Sequence, residues 1–309
     1  MFEFDTLTMI IKVVGVLVLL LQVVPIMVWV ERRGSALMQN RLGPNRVGPL
    51  GLIQSLADAV KFIFKEDPIP GNVNAFYYVI APLVALVPAF MTFAVIPFAN
   101  DITVHGHVLH FQLAQLNVGM LYVFSVASLG VYGIIMAGWA SNSKYALFGS
   151  LRSSSQMISY ELSMGLSVIG IVMTFSSVEL GPIVVGQTQP ALTGLTKLFP
   201  ALASVPFLAH IPKWGFLVQP LGCLIFLTAA FAETNRLPFD LPEGESEIVA
   251  GYHLEYGAMK FALFFMAEYT NMFIASAMIT TLFFGGWHAP GLPALLDLVG
   301  ATGAFREWL

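Results

Sequence analysis

Residues 8–30 read TMIIKVVGVLVLLLQVVPIMVWV, a stretch in which Lys12 is the only charged residue. A helix of about 20 mainly apolar residues is long enough to cross the hydrocarbon core of a bilayer. Similar runs recur at about 75–99, 117–140, 158–177, 214–233 and 259–285. These runs predict an all-α polytopic membrane protein with about six transmembrane helices, in which residues 1–309 form a single membrane domain.

The composition agrees with this class. Of the 309 residues 57% are apolar and 10% are charged, and the mean hydropathy is +0.79. Soluble proteins carry about 25% charged residues, so a soluble domain and a disordered chain are excluded. The net charge of −4 provides no basic surface for nucleic acid.

Few cofactor sites are compatible with the sequence. Cys223 is the single cysteine, whereas an iron–sulfur cluster needs about four ligands. No P-loop and no dinucleotide-binding glycine motif occurs, so ATP and NAD sites are not expected. His105, His107 and His110 are close in sequence, but only Asp101 is suitably spaced as a further ligand, and we expect no metal site.

The distribution of Lys and Arg predicts the orientation. Loops one, three and five carry nine of these residues, whereas the opposite loops and the C-terminal tail carry three. Cytoplasmic loops are enriched in Lys and Arg. The odd loops are therefore expected to face the cytoplasm or the mitochondrial matrix, with the N-terminus outside. A bacterial inner (plasma) membrane is expected in preference to the mitochondrial inner membrane.

Residues 50–65 form an amphipathic segment in the first loop. Its apolar residues recur at helical spacing, and Gln54, Asp58, Lys61 and Lys65 follow one another at steps of four, three and four. The segment is too short and too charged to span, so we predict a helix lying in the membrane interface. Its polar stripe either belongs to a simple membrane anchor or faces a protein cavity, where Asp58 and Lys61 would pair.

Several acidic residues lie in or next to predicted spans, where ionisable groups are costly and are candidates for function. Glu161 opens the fourth span, Glu233 closes the fifth, and Glu268 lies eight residues after Lys260 in the sixth. The preceding loop adds Glu243, Glu245, Glu247 and Glu255. Burial and neighbouring carboxylates raise the pKa of a glutamate towards neutrality, as a proton relay requires. The alternative for Glu243, Glu245 and Glu247 is a solvated acidic loop that docks a neighbouring subunit.

Four loops together resemble one known family. The stretches are Glu31-Arg32-Arg33, RLGPNRVG at 41–48 with the following residues to Glu66, RSSSQMISYE at 152–161, and AETNRLPFDLPEGESEIVAGYHLEYGAMKFALFFMAEY at 232–269. They resemble the H subunit of proton-pumping NADH:quinone oxidoreductase, respiratory complex I, which is subunit 1 in mitochondria. The related membrane subunit of energy-conserving hydrogenases shares the first-loop pattern and is the alternative.

The chain departs from the family in one respect. The family usually has eight spans, and its last two helices are not expected in this sequence. A separate chain would then supply these C-terminal helices, or the sequence is incomplete.

The resemblance implies a chamber for a quinone head group, built with hydrophilic partner subunits. The quinone tail would enter between the first span, the interfacial helix and the sixth span. The implied quinone-binding residues are Arg32, Arg41, Asp58, Lys61, Phe231 and Arg236. The implied proton relay to the pump subunits consists of Glu161, Glu233, Glu245, Glu247, Glu255 and Glu268.

The resemblance also implies a division of labour among chains. Quinone would be the substrate, this chain would bind no cofactor, and FMN and iron–sulfur clusters would reside on partner subunits. The expected partners are quinone-module subunits, one of them holding an iron–sulfur cluster, together with antiporter-like and small membrane-arm subunits. Two other classes remain open, namely a structural adaptor and a self-sufficient transporter; the lack of an inverted repeat disfavours the transporter.

Overall fold

The computed structural model describes residues 2–104, 107–189, 212–242 and 244–288. The structure is mostly helical in these ranges. The helices are α1 Phe2–Met38, α2 Gln54–Phe64, α3 Ala75–Thr92, α4 Gly119–Ala140, α5 Lys144–Phe175, α6 Leu180–Gln187, α7 Gly215–Val218, α8 Pro220–Glu233, α9 Glu245–Ile248 and α10 Ala258–Phe283. A small antiparallel hairpin joins β1 Ile102–Val104 to β2 His107–Leu109, with Thr103 opposite Val108.

Five of the described helices are long and apolar enough to cross a membrane. They are Thr6–Met38, Ala75–Val95, Gly119–Ala140, Lys144–Phe175 and Ala258–Phe283. Helices suit this environment because all of their backbone hydrogen bonds are made within the segment. The predicted all-α polytopic membrane fold is confirmed.

The predicted span at 214–233 is built differently from the others. It consists of α7 and the 14-residue α8, and the helix is interrupted at Gln219, whose φ is −132° and ψ 63°. Pro220 follows, and proline has no backbone N–H to continue a helical hydrogen-bond ladder. The predicted absence of a further span after Trp287 concerns residues 289–309, which lie outside the described residues.

The chain forms two compact units. The first comprises Met1–Met91, Val126–Ile158 and Phe231–Phe273, and the second comprises Thr92–Ser125, Ser159–Ala230 and Ile274–Leu309. The core of the first unit holds apolar side chains of α3, α4, α5 and α10 together with Tyr252 and Tyr256. Helices α3 and α4 can pack closely because Gly133 has no Cβ. A Cβ there would lie only 2.6 Å from the backbone nitrogen of Ala85.

In the second unit a buried amide joins three helix ends. Gln187 Nε2 donates to the carbonyl of Thr281 at 2.8 Å, and its Oε1 accepts from the backbone N–H groups of Gly215 and Gly285, each at 3.0 Å. Helix ends leave backbone groups without intrahelical partners. Gln187 satisfies such groups at the start of α7 and beyond the end of α10.

Candidate functional site

The candidate site in the first unit is centred on Arg236, in the loop after α8. Arg236 Nη1 donates to Glu31 Oε1 at 3.2 Å, and Arg236 Nε lies 3.1 Å from Glu268 Oε1. The guanidinium also lies over the ring of Tyr269, 4.6 Å from its centroid. The Tyr269 hydroxyl donates to Glu31 Oε2 at 2.6 Å. We call Glu31, Arg236, Glu268 and Tyr269 the Arg236 cluster.

The Arg236 cluster is shielded from solvent to different degrees. The side chain of Glu268 is 12% exposed and that of Arg236 is 22% exposed, whereas that of Glu31 is 46% exposed. Burial lowers the pKa of Arg236, but Glu268, Tyr269 and Glu31 outweigh it and hold the pKa above its ordinary value. Arg236 therefore remains a fixed positive charge between two carboxylates.

Helix α5 holds the loop that presents Arg236. Gln156 Nε2 donates to the carbonyl oxygens of Ala232 and Phe239, both at 2.8 Å. Asn235, which has a positive φ of 49°, donates through Nδ2 to Ser153 Oγ at 3.2 Å. These contacts fix the loop on both sides of Arg236, so its position depends on α5.

A second charged group, the Asp58 group, joins α1 to α2. Asp58 Oδ2 accepts from Arg32 Nη1 at 2.5 Å, and Oδ1 accepts from Gln54 at 3.0 Å and from Lys61 at 3.4 Å. Burial raises the pKa of Asp58, but these hydrogen bonds outweigh it and hold the pKa below its ordinary value. Asp58 and Lys61 are in contact although the Lys61 side chain is 73% exposed, and Arg32 lies closer to Asp58 than Lys61 does.

The segment before α2 is anchored to α1 through one carbonyl oxygen. Leu50 O accepts from Trp29 Nε1 at 3.1 Å and from Arg33 Nη1 at 2.7 Å. Leu50 itself has a positive φ of 54°, which is uncommon for a residue with a branched side chain. Arg41 lies apart from these contacts and donates to Gln39 Oε1 at 2.6 Å.

A third charged group lies near the start of α10. Lys260 Nζ is 2.5 Å from Asp67 Oδ2, and Lys260 is only 8% exposed. The ammonium lies 5.5 Å from the ring centroid of Tyr78. Tyr78 is fully buried, stacks on Tyr256 at 4.1 Å and donates its hydroxyl proton to Glu255 O at 2.6 Å.

The remaining predicted site residues are placed differently. Glu247 pairs with Arg152 at 2.7 Å, and both side chains are about half exposed. Glu233 at the end of α8 is half-buried, and Phe231 is exposed. Glu161, on α5, belongs to the second unit, where it is half-buried. Glu243 and the side chain of Glu245 lie outside the described residues.

The predicted histidine cluster provides no metal site in the described part of the chain. His110 Nδ1 lies 2.8 Å from Asp101 Oδ2 and 2.8 Å from Gln115 Nε2. Among the described residues, no group of three or more His, Cys, Asp or Glu side chains is arranged to hold a metal ion. His105 and the side chain of His107 lie outside that part.

Sequence reasoning missed several members of these groups. Glu31 stood out only as the neighbour of Arg32 and Arg33, and arginines at the end of a span ordinarily set the orientation in the membrane. The roles of Tyr269 and Gln156 could not be predicted from the sequence. An uncharged residue in a helix can contact either a functional site or the core, and the sequence pattern is the same in both cases. Lys260 was visible as a charge inside a span, but its partner Asp67 lies 193 residues away in sequence.

Comparison with known proteins places the chain in a family. A family model described as NADH dehydrogenase matches residues 11–305. The chain is 45% identical over 295 residues to the H subunit of the NADH-quinone oxidoreductase of Bdellovibrio bacteriovorus, covering 90% of this chain and 74% of that protein. It is 49% identical over 277 residues to the corresponding H subunit of Salinibacter ruber, covering 89% of this chain and 72% of that protein.

A third relative agrees with these. The second of two NADH-quinone oxidoreductase H subunits of Geobacter metallireducens is 46% identical over 295 residues, covering 92% of this chain and 79% of that protein. Identity at this level over most of both chains is sufficient to assign the family. The chain belongs to the NADH dehydrogenase family, alongside the H subunits of the NADH-quinone oxidoreductases.

Proposed function

We propose that this chain is the membrane subunit of a proton-translocating NADH:quinone oxidoreductase that forms much of the quinone chamber and couples quinone reduction to proton movement. The observation that carries this proposal is the Arg236 cluster. One guanidinium contacts carboxylates from two transmembrane helices, Glu31 of α1 and Glu268 of α10. A change of charge at either carboxylate therefore alters the field at the other.

The quinone part of the proposal rests on the polar side chains of the first unit. Arg32, Asp58 and Lys61 form one group between α1 and α2. Arg236 belongs to the Arg236 cluster, and a buried nitrogen of its guanidinium, Nη2, makes no hydrogen bond to the residues that the structure describes. A quinone carbonyl oxygen is an acceptor that such a donor would suit. Arg41 and Phe231 complete the proposed set.

Exposed apolar side chains on α2 support the proposed path for the quinone tail. Leu56, Val60, Ile63 and Phe64 are all largely exposed, on a helix whose Asp58 carboxylate is paired. A helix with this division of faces lies in the membrane interface. A polyisoprenoid tail would follow its apolar face from the lipid while the head group reaches the charged face.

The proton part of the proposal assigns Glu161, Glu233, Glu245, Glu247, Glu255 and Glu268 as the relay. Moving one charge against 100 mV costs about 2.3 kcal/mol. Electrons would come from an iron–sulfur cluster on a partner subunit. Their transfer to quinone would release the free energy for proton movement. Quinol formation takes up protons, and the carboxylates would transmit the resulting charge change towards antiporter-like subunits.

We further propose a bacterial inner membrane as the location, with the N-terminus outside. The proposed partners are the quinone-module subunits and the antiporter-like and small membrane-arm subunits. The similar H subunits from several bacteria support the bacterial setting.

The proposed function is tested by Glu268→Gln in the assembled complex. The substitution keeps the shape of the side chain and removes the charge opposite Arg236. We expect NADH:quinone reductase activity to fall about tenfold, which corresponds to about 1.4 kcal/mol, while NADH:ferricyanide activity, which reports assembly, stays unchanged. Glu179→Gln in the second unit is the control. Normal quinone reduction and proton translocation in Glu268→Gln would contradict the proposal, and lost assembly with normal turnover per complex would favour a structural adaptor.

A further inference from the structure

The contact between buried Lys260 and Asp67, whose side chain is 34% exposed, lies outside the groups assigned to quinone and to the relay. Lys260 is in the first turn of α10, and its side chain is 10% exposed. Asp67 lies three residues after Phe64, where α2 ends. The contact therefore joins the end of the amphipathic helix directly to a transmembrane helix.

Two aromatic contacts accompany the pair. The Lys260 ammonium lies over the face of Tyr78 on α3, a favourable arrangement for a cation removed from water. The ring of Phe62 on α2 lies 6.4 Å from that of Phe261 on α10. The C-terminal end of α2 is thus attached to α10 by one charged contact and one aromatic contact.

The charged contacts of the first unit close into a ring. Asp67 follows α2, and α2 is bound to α1 through Asp58 and Arg32. Glu31, the residue before Arg32, is bound to Arg236, which contacts Glu268 on α10. Lys260 and Glu268 lie eight residues apart on α10, about 12 Å along the helix. The Lys260–Asp67 pair is therefore the charged contact that, together with the Phe62–Phe261 contact, joins the C-terminal end of α2 to the helix carrying the Arg236 cluster.

We propose that Lys260 and Asp67 form a latch that fixes α2 against α10 and thereby sets the position of the Asp58 group. Both are positioning residues, because they act through α2. The consequence for the quinone rests on the proposed function, whereas the latch itself rests on the contacts alone.

The latch is testable because its two residues can be removed together. Asp67→Asn alone leaves the buried charge of Lys260 without its partner, and a buried unpaired charge is strongly destabilising. The double variant Lys260→Met with Asp67→Asn leaves neither charge, so the complex is expected to assemble. Glu66→Gln, a neighbouring exposed carboxylate, is the matched control.

Two measurements on the assembled complex test whether the latch exists and whether it affects the quinone site. Hydrogen exchange of the amides of residues 54–67 is expected to be at least about tenfold faster in the double variant than in Glu66→Gln. The apparent KM for a long-tailed quinone is expected to rise at least about fivefold, the lower end of the coupling between linked sites. The number of protons moved per NADH should be unchanged.

Each contrary result has a separate meaning. Unchanged exchange in the double variant would overturn the latch, whatever the number of protons moved per NADH. Faster exchange without a change in KM, in a complex where Asp58→Ala does change KM, would overturn the link from latch to quinone site. If Asp58→Ala also leaves KM unchanged, the quinone-site function fails, and the exchange result still decides whether the latch exists.

Discussion

Arg236 Nε lies 3.1 Å from Glu268 Oε1, although one residue is in the loop after α8 and the other is in the middle of α10. The family resemblance implied different roles for them, quinone binding for Arg236 and the proton relay for Glu268. Their contact brings the residues proposed for these two roles together in the first unit. A charge change caused by bound quinone at Arg236 would alter the electrostatic energy of the Glu268 carboxylate, because two charges this close interact strongly where water is scarce.

Replacing Arg236 by lysine tests whether one guanidinium must hold two carboxylates. Arg236 uses Nη1 for Glu31 and Nε for Glu268. An ammonium is a compact point charge without this planar fork, so it can hold one carboxylate closely but not both. We expect Arg236→Lys to lower quinone reductase activity about 5- to 10-fold, or roughly 1–1.4 kcal/mol, in a complex with normal ferricyanide activity. Arg46→Lys, at an exposed arginine, should behave as wild type, and equal activity of the two variants would contradict the two-carboxylate role.

Replacing Gln156 by glutamate tests whether α5 positions Arg236. The Gln156 amide donates to the carbonyls of Ala232 and Phe239 on either side of the arginine. An ionised glutamate has no donor and would place negative charge against those carbonyl oxygens. We expect quinone reductase activity to fall about tenfold, or about 1.4 kcal/mol. Ser155→Ala, at the exposed neighbouring position, is the control; wild-type turnover in Gln156→Glu would show that the loop holds its shape without α5.

Much of the fold could be predicted from the sequence. Runs of apolar residues near the length of a bilayer predicted the long helices, because a helix satisfies its backbone hydrogen bonds within a single segment. The interruption at Gln219 was not predicted, because hydropathy alone does not register where a helix breaks inside an apolar run. The helix at Gln54–Phe64 was predicted because its apolar residues recur at helical spacing.

The candidate site was less predictable than the fold. Glu268 was singled out because a charge inside a span is costly. Its neighbour Tyr269 was not, although Tyr269 donates to Glu31 across 238 residues of sequence. Which faces of two apolar helices meet depends on packing of the whole unit, and periodicity within one helix does not contain that information. The Asp58–Lys61 contact was predictable because residues three apart are neighbours on a helix, whereas Arg32 as a closer partner was not.

His253 provides a prediction about pH that is independent of the quinone. This side chain is 8% exposed and lies against the rings of Tyr252, Phe261 and Phe265. Burial lowers the pKa of His253 to about 4, from an ordinary value of 6.5. As the pH falls below 6.5 the unfolded chain takes up a proton that the folded chain excludes, so stability decreases until the pH reaches about 4, where the loss levels off.

The corresponding variant is His253→Phe, which fits the aromatic surroundings and cannot be protonated. Wild type is expected to lose about 2 kcal/mol of stability through this residue between pH 7 and pH 5. The variant should therefore show a smaller decrease in Tm over that range, measured by thermal unfolding of the purified complex at both pH values. An identical decrease in both proteins would show that His253 does not titrate as its burial implies.

We propose above all that quinone reduction changes the protonation of carboxylates beside Arg236. Infrared difference spectroscopy of the assembled complex, reduced minus oxidised, measures this change of protonation most directly. We predict a carboxyl signal that appears in wild type and in Glu179→Gln and is lost or shifted in Glu268→Gln. A carboxyl signal that is the same in all three proteins, together with an unchanged number of protons moved per NADH in Glu268→Gln, would contradict the account.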